Sequence, residues 1–348
     1  MRFFIASLLI LSTLSAQEAK PTKSYLSSNR RAYTAPELLD APDEWIIRSL
    51  AWADDMFRTY PPSLPEHPAR RAALIRMDDI LHIESAPKKP LVQKFFHEQA
   101  TRGIEEIEKT KLTSGARIWK IYSHSWIVRT PTTTFAFDLV PGPPRNDGFA
   151  LPMPVLERLV KQIDVLFISH LHTDHASKTV ARMLLEQGKK VVGPTGLWKD
   201  DAFFAERLTY PERNADKIHE LGKLRYVAYP GHQGKGPLNN NHLVITPENF
   251  IVMQTGDQSS DHGDWSDFDW ISKVGFQHKV NVLLPNCWTT DIQRMARGVN
   301  PKLILTGHEN EMAHTVDHRE DYTQTYNHLF GSPYPFIVMS WGEGYTIQ

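Results

Sequence analysis

Residues 164–177 read DVLFISHLHTDHAS and decide how the rest of the chain is interpreted. The run DVLFIS has the continuous apolar pattern of a buried β-strand, and a helix-like run follows directly. Between them lie His170, His172, Asp174 and His175. We therefore predict that these side chains lie on a loop at the carboxyl end of a strand, where a rigid scaffold can hold a site open to substrate.

The spacing of these residues suits metal binding. In extended chain His170 and His172 face the same side, so one ion can take both imidazoles. Asp174 and His175 come just past a turn and can point at a second ion. Imidazole and carboxylate are ligands that Zn²⁺, Mn²⁺ and iron all accept. The stretch therefore predicts a metal site, which needs further ligands from elsewhere in the chain.

Three later residues repeat the strand-end context. His232 follows the strand-like LRYVAYP, Asp257 follows NFIVMQ, and His308 follows KLILT. Each has a glycine beside it that lets the chain turn sharply. We expect these three side chains to complete the metal site.

The spacing of apolar residues divides the chain into two parts. From about residue 43 to 112 apolar residues recur at helical spacing in three runs separated by proline-rich breaks, which predicts an N-terminal helical segment. It either caps the active-site edge or packs on the rest of the protein. Residues 113–348 mix short β-rich runs with helical runs, which predicts a layered α/β domain of roughly nine or more strands.

HLHTDH at 170–175, together with His232, Asp257 and His308 in this order, resembles the metallo-β-lactamase superfamily. The resemblance covers roughly residues 115–348 and implies an αββα sandwich with a two-metal site along one edge. By this resemblance the first metal is held by His170, His172 and His232, and the second by Asp174, His175 and His308. Asp257 would bridge the two.

Two features point to a branch of this superfamily. Asp257 stands where the commonest true β-lactamases have cysteine, which is similar to the lactonase, glyoxalase II, phosphodiesterase and phospholipase D branches. His124, Ser125 and Asp138 fill places typical of the ascorbate-6-phosphate lactonase-like and N-acyl-phosphatidylethanolamine phospholipase D-like group. Ser123 stands where that group has glycine.

The resemblance implies a metal-dependent hydrolase with two divalent ions, Zn²⁺ being favoured over Mn²⁺ or iron. Two such ions can generate a bridging hydroxide for attack on a lactone, another ester or a phosphodiester, with Asp174 orienting the nucleophile. The alternatives are a β-lactam or thioester hydrolase, oxidative chemistry at iron, and a metal-binding protein that has lost catalysis. His314 and His318 either support a ligand, touch substrate, or are polar surface residues.

The composition of the chain bears on its partners, and its first residues predict its location. Lys and Arg number 39 against 40 Asp and Glu, a formal net charge of -1, so no overall bias toward nucleic acid or anionic membranes exists. We expect a small-molecule substrate and no nucleic-acid partner. Residues 1–16 have the charged start, short apolar run and small-residue exit of a signal peptide, and residues 17–42 form a polar leader. The mature chain is thus expected to be periplasmic or secreted, without a transmembrane segment.

Overall fold

The computed structural model describes residues 42–143, 148–234, 236–259 and 270–348. The predicted signal peptide and all but the last residue of the polar leader lie outside these residues, so both stay predictions. Within the described part of the chain, no helix combines the length and the apolarity that a membrane span requires.

Six strands form the first sheet, in the spatial order β13-β1-β2-β3-β4-β5. Their bounds are β1 Ala116–Tyr122, β2 Ser125–Arg129, β3 Thr134–Phe137, β4 Val165–Phe167, β5 Lys190–Val192 and β13 Gly344–Ile347. β1, β2 and β3 pair antiparallel, whereas β3, β4 and β5 pair parallel. The predicted strand before HLHTDH is therefore an inner strand, β4.

Seven strands form the second sheet, in the order β12-β11-β10-β9-β8-β7-β6. Their bounds are β6 His219–Leu221, β7 Leu224–His232, β8 Leu238–Ile245, β9 Ile251–Gln254, β10 Val282–Leu284, β11 Leu303–Leu305 and β12 Phe336–Ile337. β9, β10 and β11 run parallel, and their carboxyl ends therefore meet at one edge. The short β6 and β13 have no counterpart among the apolar runs of the sequence.

The described residues contain nine α-helices, besides the short 3-10 helices Ala86–Lys88 and Val316–His318. They are α1 Asp43–Thr59, α2 Pro68–Leu81, α3 Pro90–Lys109, α4 Met153–Lys161, α5 Lys178–Glu186, α6 Ala202–Ala205, α7 Ile271–Gln277, α8 Ile292–Val299 and α9 Tyr322–His328. The first three match the helical runs predicted for residues 43–112. Proline at the start of α2 and α3 has the backbone angle that a first helical turn needs.

Side chains of neighbouring strand residues enter different cores, because alternate residues point to opposite faces of a sheet. Ile118 and Leu284 lie between the two sheets. Trp119 faces the other way, into a core shared with α1, α2, α3, α4 and α5. Leu283 likewise packs with α7 and α8 on the far side of the second sheet. The layers are helix, sheet, sheet, helix, which confirms the predicted α/β sandwich.

The N-terminal helical segment packs on the sandwich. Leu74 of α2 and Phe96 of α3 are fully buried in the same core as Trp119. α2 also contacts α9, which follows the loop after His308. The segment thus reaches the neighbourhood of the predicted site from behind, although whether it forms a unit separate from residues 113–348 stays a prediction.

Candidate metal centre

The predicted metal ligands lie where strands of both sheets end. β4 of the first sheet leads into His170, while β9 and β11 of the second sheet lead into Asp257 and His308. His308 has a left-handed backbone with φ 78°, and Gly307 precedes it. The chain therefore turns sharply after β11 and brings the His308 ring to the edge of the sandwich.

Asp174, His175, Asp257 and His308 form one buried cluster whose ligand atoms all lie within 4.8 Å of one another. Nε2 of His175 is 3.4 Å from Oδ2 of Asp174 and 3.2 Å from Oδ1 of Asp257. Nε2 of His308 is 3.3 Å and 3.6 Å from the same two oxygens. Two imidazoles and two carboxylates thus surround one point.

His170, His172 and Asp257 form a second cluster beside the first. Nε2 of His170 is 3.6 Å from Oδ2 of Asp257, and the rings of His170 and His172 lie 4.7 Å apart. Asp257 therefore turns one oxygen toward each cluster. This is the arrangement that a carboxylate bridging two ions needs.

His232 stands outside these clusters, and its role as a ligand stays a prediction. It is the last residue of β7, and its backbone N–H donates to Oε1 of Gln258. The next residue, Gln233, instead reaches Asp257, with Nε2 donating to Oδ2 at 3.0 Å. Six of the seven residues predicted as ligands are thus brought together in the described structure, and Gln233 lies beside them.

The buried atoms of these residues fit a divalent cation. Nε2 of His170, His175 and His308 and Oδ1 of Asp257 are buried without a hydrogen-bond partner in the protein. Buried polar atoms almost always have partners, so four unsatisfied atoms converging on the same place need an explanation. Imidazole nitrogens and carboxylate oxygens are the donor set that zinc, manganese and iron accept.

Asp138 orients two of the histidines. Its Oδ2 accepts from Nδ1 of His175 at 2.9 Å and from Oγ of Ser169 at 2.7 Å. Because the single Ser169 hydroxyl proton goes to the carboxylate, Ser169 Oγ accepts from Nδ1 of His170 at 2.9 Å. Both rings therefore carry their proton on Nδ1 and leave Nε2 free for a metal, the usual arrangement around metal-binding histidines.

The histidines and carboxylates of the centre shift one another's pKa values. Burial alone would lower the pKa of His175 and His308, but nearby carboxylates, Asp257 foremost, raise it well above the ordinary histidine value. The pKa of Asp257 is lowered despite burial, chiefly by His175 and His308. Burial lowers the pKa of His170 to about 3. Without metal, two rings hold protons that a cation must displace.

His124 lies behind the centre rather than in it. It is fully buried, and its ring centre is 5.7 Å from that of His175. Burial lowers the pKa of His124 to about 3, so the ring is neutral. Gly307 passes so close that a Cβ there would lie 2.1 Å from Nδ1 of His124. His124 therefore packs beneath the ligands.

A pocket of about 490 Å³ opens onto the centre. Its described lining includes residues of both clusters together with Gln233, Trp288, Ala313, His314, Thr315, His318 and Glu320. Oε2 of Glu320 is 3.4 Å from Nδ1 of His308, where a carboxylate can orient that ring. Of these residues the sequence indicated only His314 and His318. The others lie in loops without any periodic pattern to mark them.

No protein-family model matches the sequence, and no curated protein is significantly similar to it. Solved structures do match the fold. A metallo hydrolase from the hyperthermophilic archaeon Ignicoccus hospitalis has a TM-score of 0.54 at 15% identity, over 68% of this chain and 99% of its own. A protein from Veillonella parvula described as a possible metal-dependent hydrolase has a TM-score of 0.50 at 16% identity, over 67% and 100%.

An isothiocyanate hydrolase from Delia radicum gut bacteria gives a TM-score of 0.50 at 12% identity, over 67% of this chain and 99% of its own. Identities this low establish the fold and leave the reaction to be argued from the site. The chain therefore has the αββα fold of such metal-dependent hydrolases, as its resemblance to the metallo-β-lactamase superfamily predicts.

Proposed function

We propose that this protein is a binuclear metal-dependent hydrolase acting on a lactone, another ester or a phosphodiester. The observation that carries the proposal is the placement of Asp257, whose two oxygens face two different clusters, each with a buried histidine nitrogen that lacks a hydrogen-bond partner. A protein that binds no ion gains nothing from burying such atoms without partners, because each costs roughly 1–3 kcal/mol.

The assignment of ligands follows the clusters. His170, His172 and Asp257 would hold one ion, and Asp174, His175, His308 and Asp257 the other, with His232 as a further predicted ligand of the first. Two ions so held would lower the pKa of a water toward neutrality and stabilise negative charge on a carbonyl or phosphoryl oxygen. Zn²⁺ remains the favoured ion, with Mn²⁺ and iron as alternatives.

Asp174 is the residue proposed to act on the nucleophile. It lies in the lining of the pocket, and its Oδ2 is within 3.4 Å of Nε2 of both His175 and His308. These contacts keep the pKa of Asp174 well below its ordinary value despite burial, so the carboxylate stays charged. A charged carboxylate facing the pocket can accept a hydrogen bond from an attacking water and orient it.

The test replaces Asp257 with alanine in the purified full-length chain. Metal content is measured by elemental analysis, and turnover is measured on an aryl lactone, bis(p-nitrophenyl) phosphate and a chromogenic β-lactam. We expect about two ions per wild-type chain and at most one in Asp257→Ala, with loss of most turnover. Asp164→Ala is the control, because Asp164 lies at the opposite end of β4 from His170.

The outcomes separate the alternatives. Full metal occupancy with unchanged turnover in Asp257→Ala would refute the binuclear scheme. A wild-type protein with two ions that is inert on all three substrates would favour the inactive metal-binding protein. Turnover of the phosphodiester without the lactone would favour the phospholipase D-like branch, and turnover of the β-lactam alone would favour a β-lactam hydrolase. We also propose that the chain is exported, and this part of the proposal depends only on the signal-peptide pattern of residues 1–16.

A further inference from the structure

One wall of the metal pocket is a single loop, residues 308–321, between β11 and α9. It contributes His308, His314, His318 and Glu320 to the lining. Most of this loop is not held by a strand or a long helix. Its conformation therefore has to come from contacts with other parts of the protein.

Arg319 supplies several of these contacts, and they reach the N-terminal helical segment. The residue is only 3% exposed. Its Nη1 donates to the carbonyls of Leu81 and Ile83, at and just beyond the end of α2, while its Nη2 donates to the carbonyl of His314 at 2.9 Å. Nε2 of His82 is hydrogen-bonded to the carbonyl of Arg319. One guanidinium thus joins α2 to the pocket wall.

Asp78 holds the other side of the same loop. Its carboxylate accepts from the backbone N–H of Tyr322 at 2.8 Å and of Thr323 at 3.1 Å, and from the Thr323 hydroxyl at 2.9 Å. These bonds fix the first turn of α9. Glu320 therefore lies between two attachments to one helix, separated from α2 by more than 200 residues of sequence.

His314 is the pocket residue that depends most directly on this attachment. Its Nδ1 donates to the carbonyl of His318 at 3.1 Å, because a carbonyl can only accept. Its Nε2 lies 3.9 Å from Oδ2 of Asp174, and its Nδ1 lies 4.0 Å from Oε2 of Glu320. Arg319 thus holds the backbone of His314, and the carbonyl of His318 holds its ring.

We propose that Arg319 is a positioning residue, through which the N-terminal helical segment holds the ring of His314 toward the metal pocket. A planar guanidinium can serve three carbonyls in fixed directions, whereas an ammonium group is a compact point charge on a flexible stem. Replacing Arg319 with lysine therefore keeps the charge but loses the fixed link between Leu81 and His314. This proposal depends on the proposed function in one respect only, namely that this pocket is the active site.

Arg319→Lys tests this, with Arg70→Lys as the matched control. Arg70 is also fully buried and also joins α2 to a distant part of the chain, through Glu343 and the carbonyl of Val338. It does not line the pocket. Both variants bury a lysine in place of an arginine, so a general loss of stability affects both, and only a positioning role separates them.

Two readouts require no substrate. Hydrogen exchange of the zinc-loaded full-length protein is followed in the peptide 308–320, and nitrogen NMR follows the ring of His314, assigned through His314→Gln. In Arg319→Lys we expect exchange in this peptide to speed up by roughly ten-fold and the His314 ring signals to move. In Arg70→Lys neither should change. Equal behaviour of the two variants would overturn the proposal.

A third readout is turnover of whichever probe substrate the wild-type protein hydrolyses. We expect Arg319→Lys to lower kcat roughly ten-fold in the wild-type background and by less than about two-fold beside His314→Gln, because the two residues act as one unit. Independent, multiplicative losses would refute the link. If Arg319→Lys does not fold, Arg319→Gln replaces it. If the zinc-loaded protein hydrolyses none of the probes, the proposed function is refuted. Hydrogen exchange and NMR would still test the positioning role of Arg319.

Discussion

Replacing Asp138 with asparagine is the sharpest perturbation of the metal centre that leaves every ligand in place. Asp138 is fully buried and accepts four hydrogen bonds. The donors are the backbone N–H and hydroxyl of Ser169, Nδ1 of His175 and Nε2 of Gln254. Asparagine has almost the same shape, but one of its two positions becomes an NH₂ group. In either orientation of the amide, its NH₂ group then faces at least one of these donors.

The size of the effect follows from these bonds. A hydrogen bond to a charged group contributes about 1.5–3 kcal/mol, and a buried donor left without a partner costs about 1–3 kcal/mol. We therefore expect the free energy of unfolding to fall by about 3 kcal/mol. Loss of a carboxylate that orients a metal-binding histidine typically weakens metal affinity by about 10–100-fold. His175 loses its partner directly and His170 only through Ser169, so the site of His175 should weaken more.

The assay is zinc titration against a chromophoric chelator, combined with urea unfolding of the metal-free protein. Asp164→Asn is the control, because Asp164 also accepts a backbone N–H, from Thr134 at 2.9 Å, but lies at the other end of β4. The expected result is two zinc affinities that fall unequally in Asp138→Asn and stay unchanged in the control. If the protein loses stability while both affinities remain at the wild-type value, Asp138 only supports the fold and the orientation argument is wrong.

Two further predictions concern the same centre. Gly307→Ala should destabilise the protein by about 1–3 kcal/mol in urea unfolding, because the new methyl would meet Nδ1 of His124 at 2.1 Å; unchanged stability would contradict this packing. In metal-free protein His175 and His308 have raised pKa values, so their contribution to stability is complete below about pH 6.5 and is lost as pH rises through the folded-state values. Urea unfolding should therefore show the chelator-treated protein weakening from about pH 6.5 upward while zinc-loaded protein does not, and parallel curves for the two forms would refute it.

The sequence predicted most of the metal centre because its ligands belong to strand ends. His170, Asp257 and His308 each follow a short apolar run, and the fold brings the carboxyl ends of such strands to one edge. His232 also follows an apolar run, but β7 continues through it. The side chain of the next residue, Gln233, reaches Asp257, a contact that the sequence did not indicate. Whether His232 also serves as a ligand stays a prediction.

For the N-terminal helical segment, the sequence predicted the helices but not where they pack. Its periodicity predicted α1, α2 and α3, because each must bury one apolar face. Where the segment packs depends on contacts such as those of Asp78 with Tyr322 and Thr323. These bonds join residues far apart in sequence through backbone groups, which carry no residue signature. The choice between capping the active-site edge and packing on the sandwich therefore stayed open until the structure showed the segment behind the pocket wall.

The metal centre and the pocket wall are thus held mainly by different parts of the chain, and they meet at His308, whose Nδ1 lies 3.4 Å from Oε2 of Glu320. The ligands rest on strand ends whose positions are set by the two sheets and by Asp138, deep in the sandwich. His314 and Glu320 rest on a loop that α2 holds through Arg319 and Asp78. Because these attachments share no residue, a substitution at Arg319 should alter the pocket while both metal clusters keep their ligands. Metal content and turnover are then separable properties of this protein, and measuring both in each variant distinguishes a damaged centre from a displaced wall.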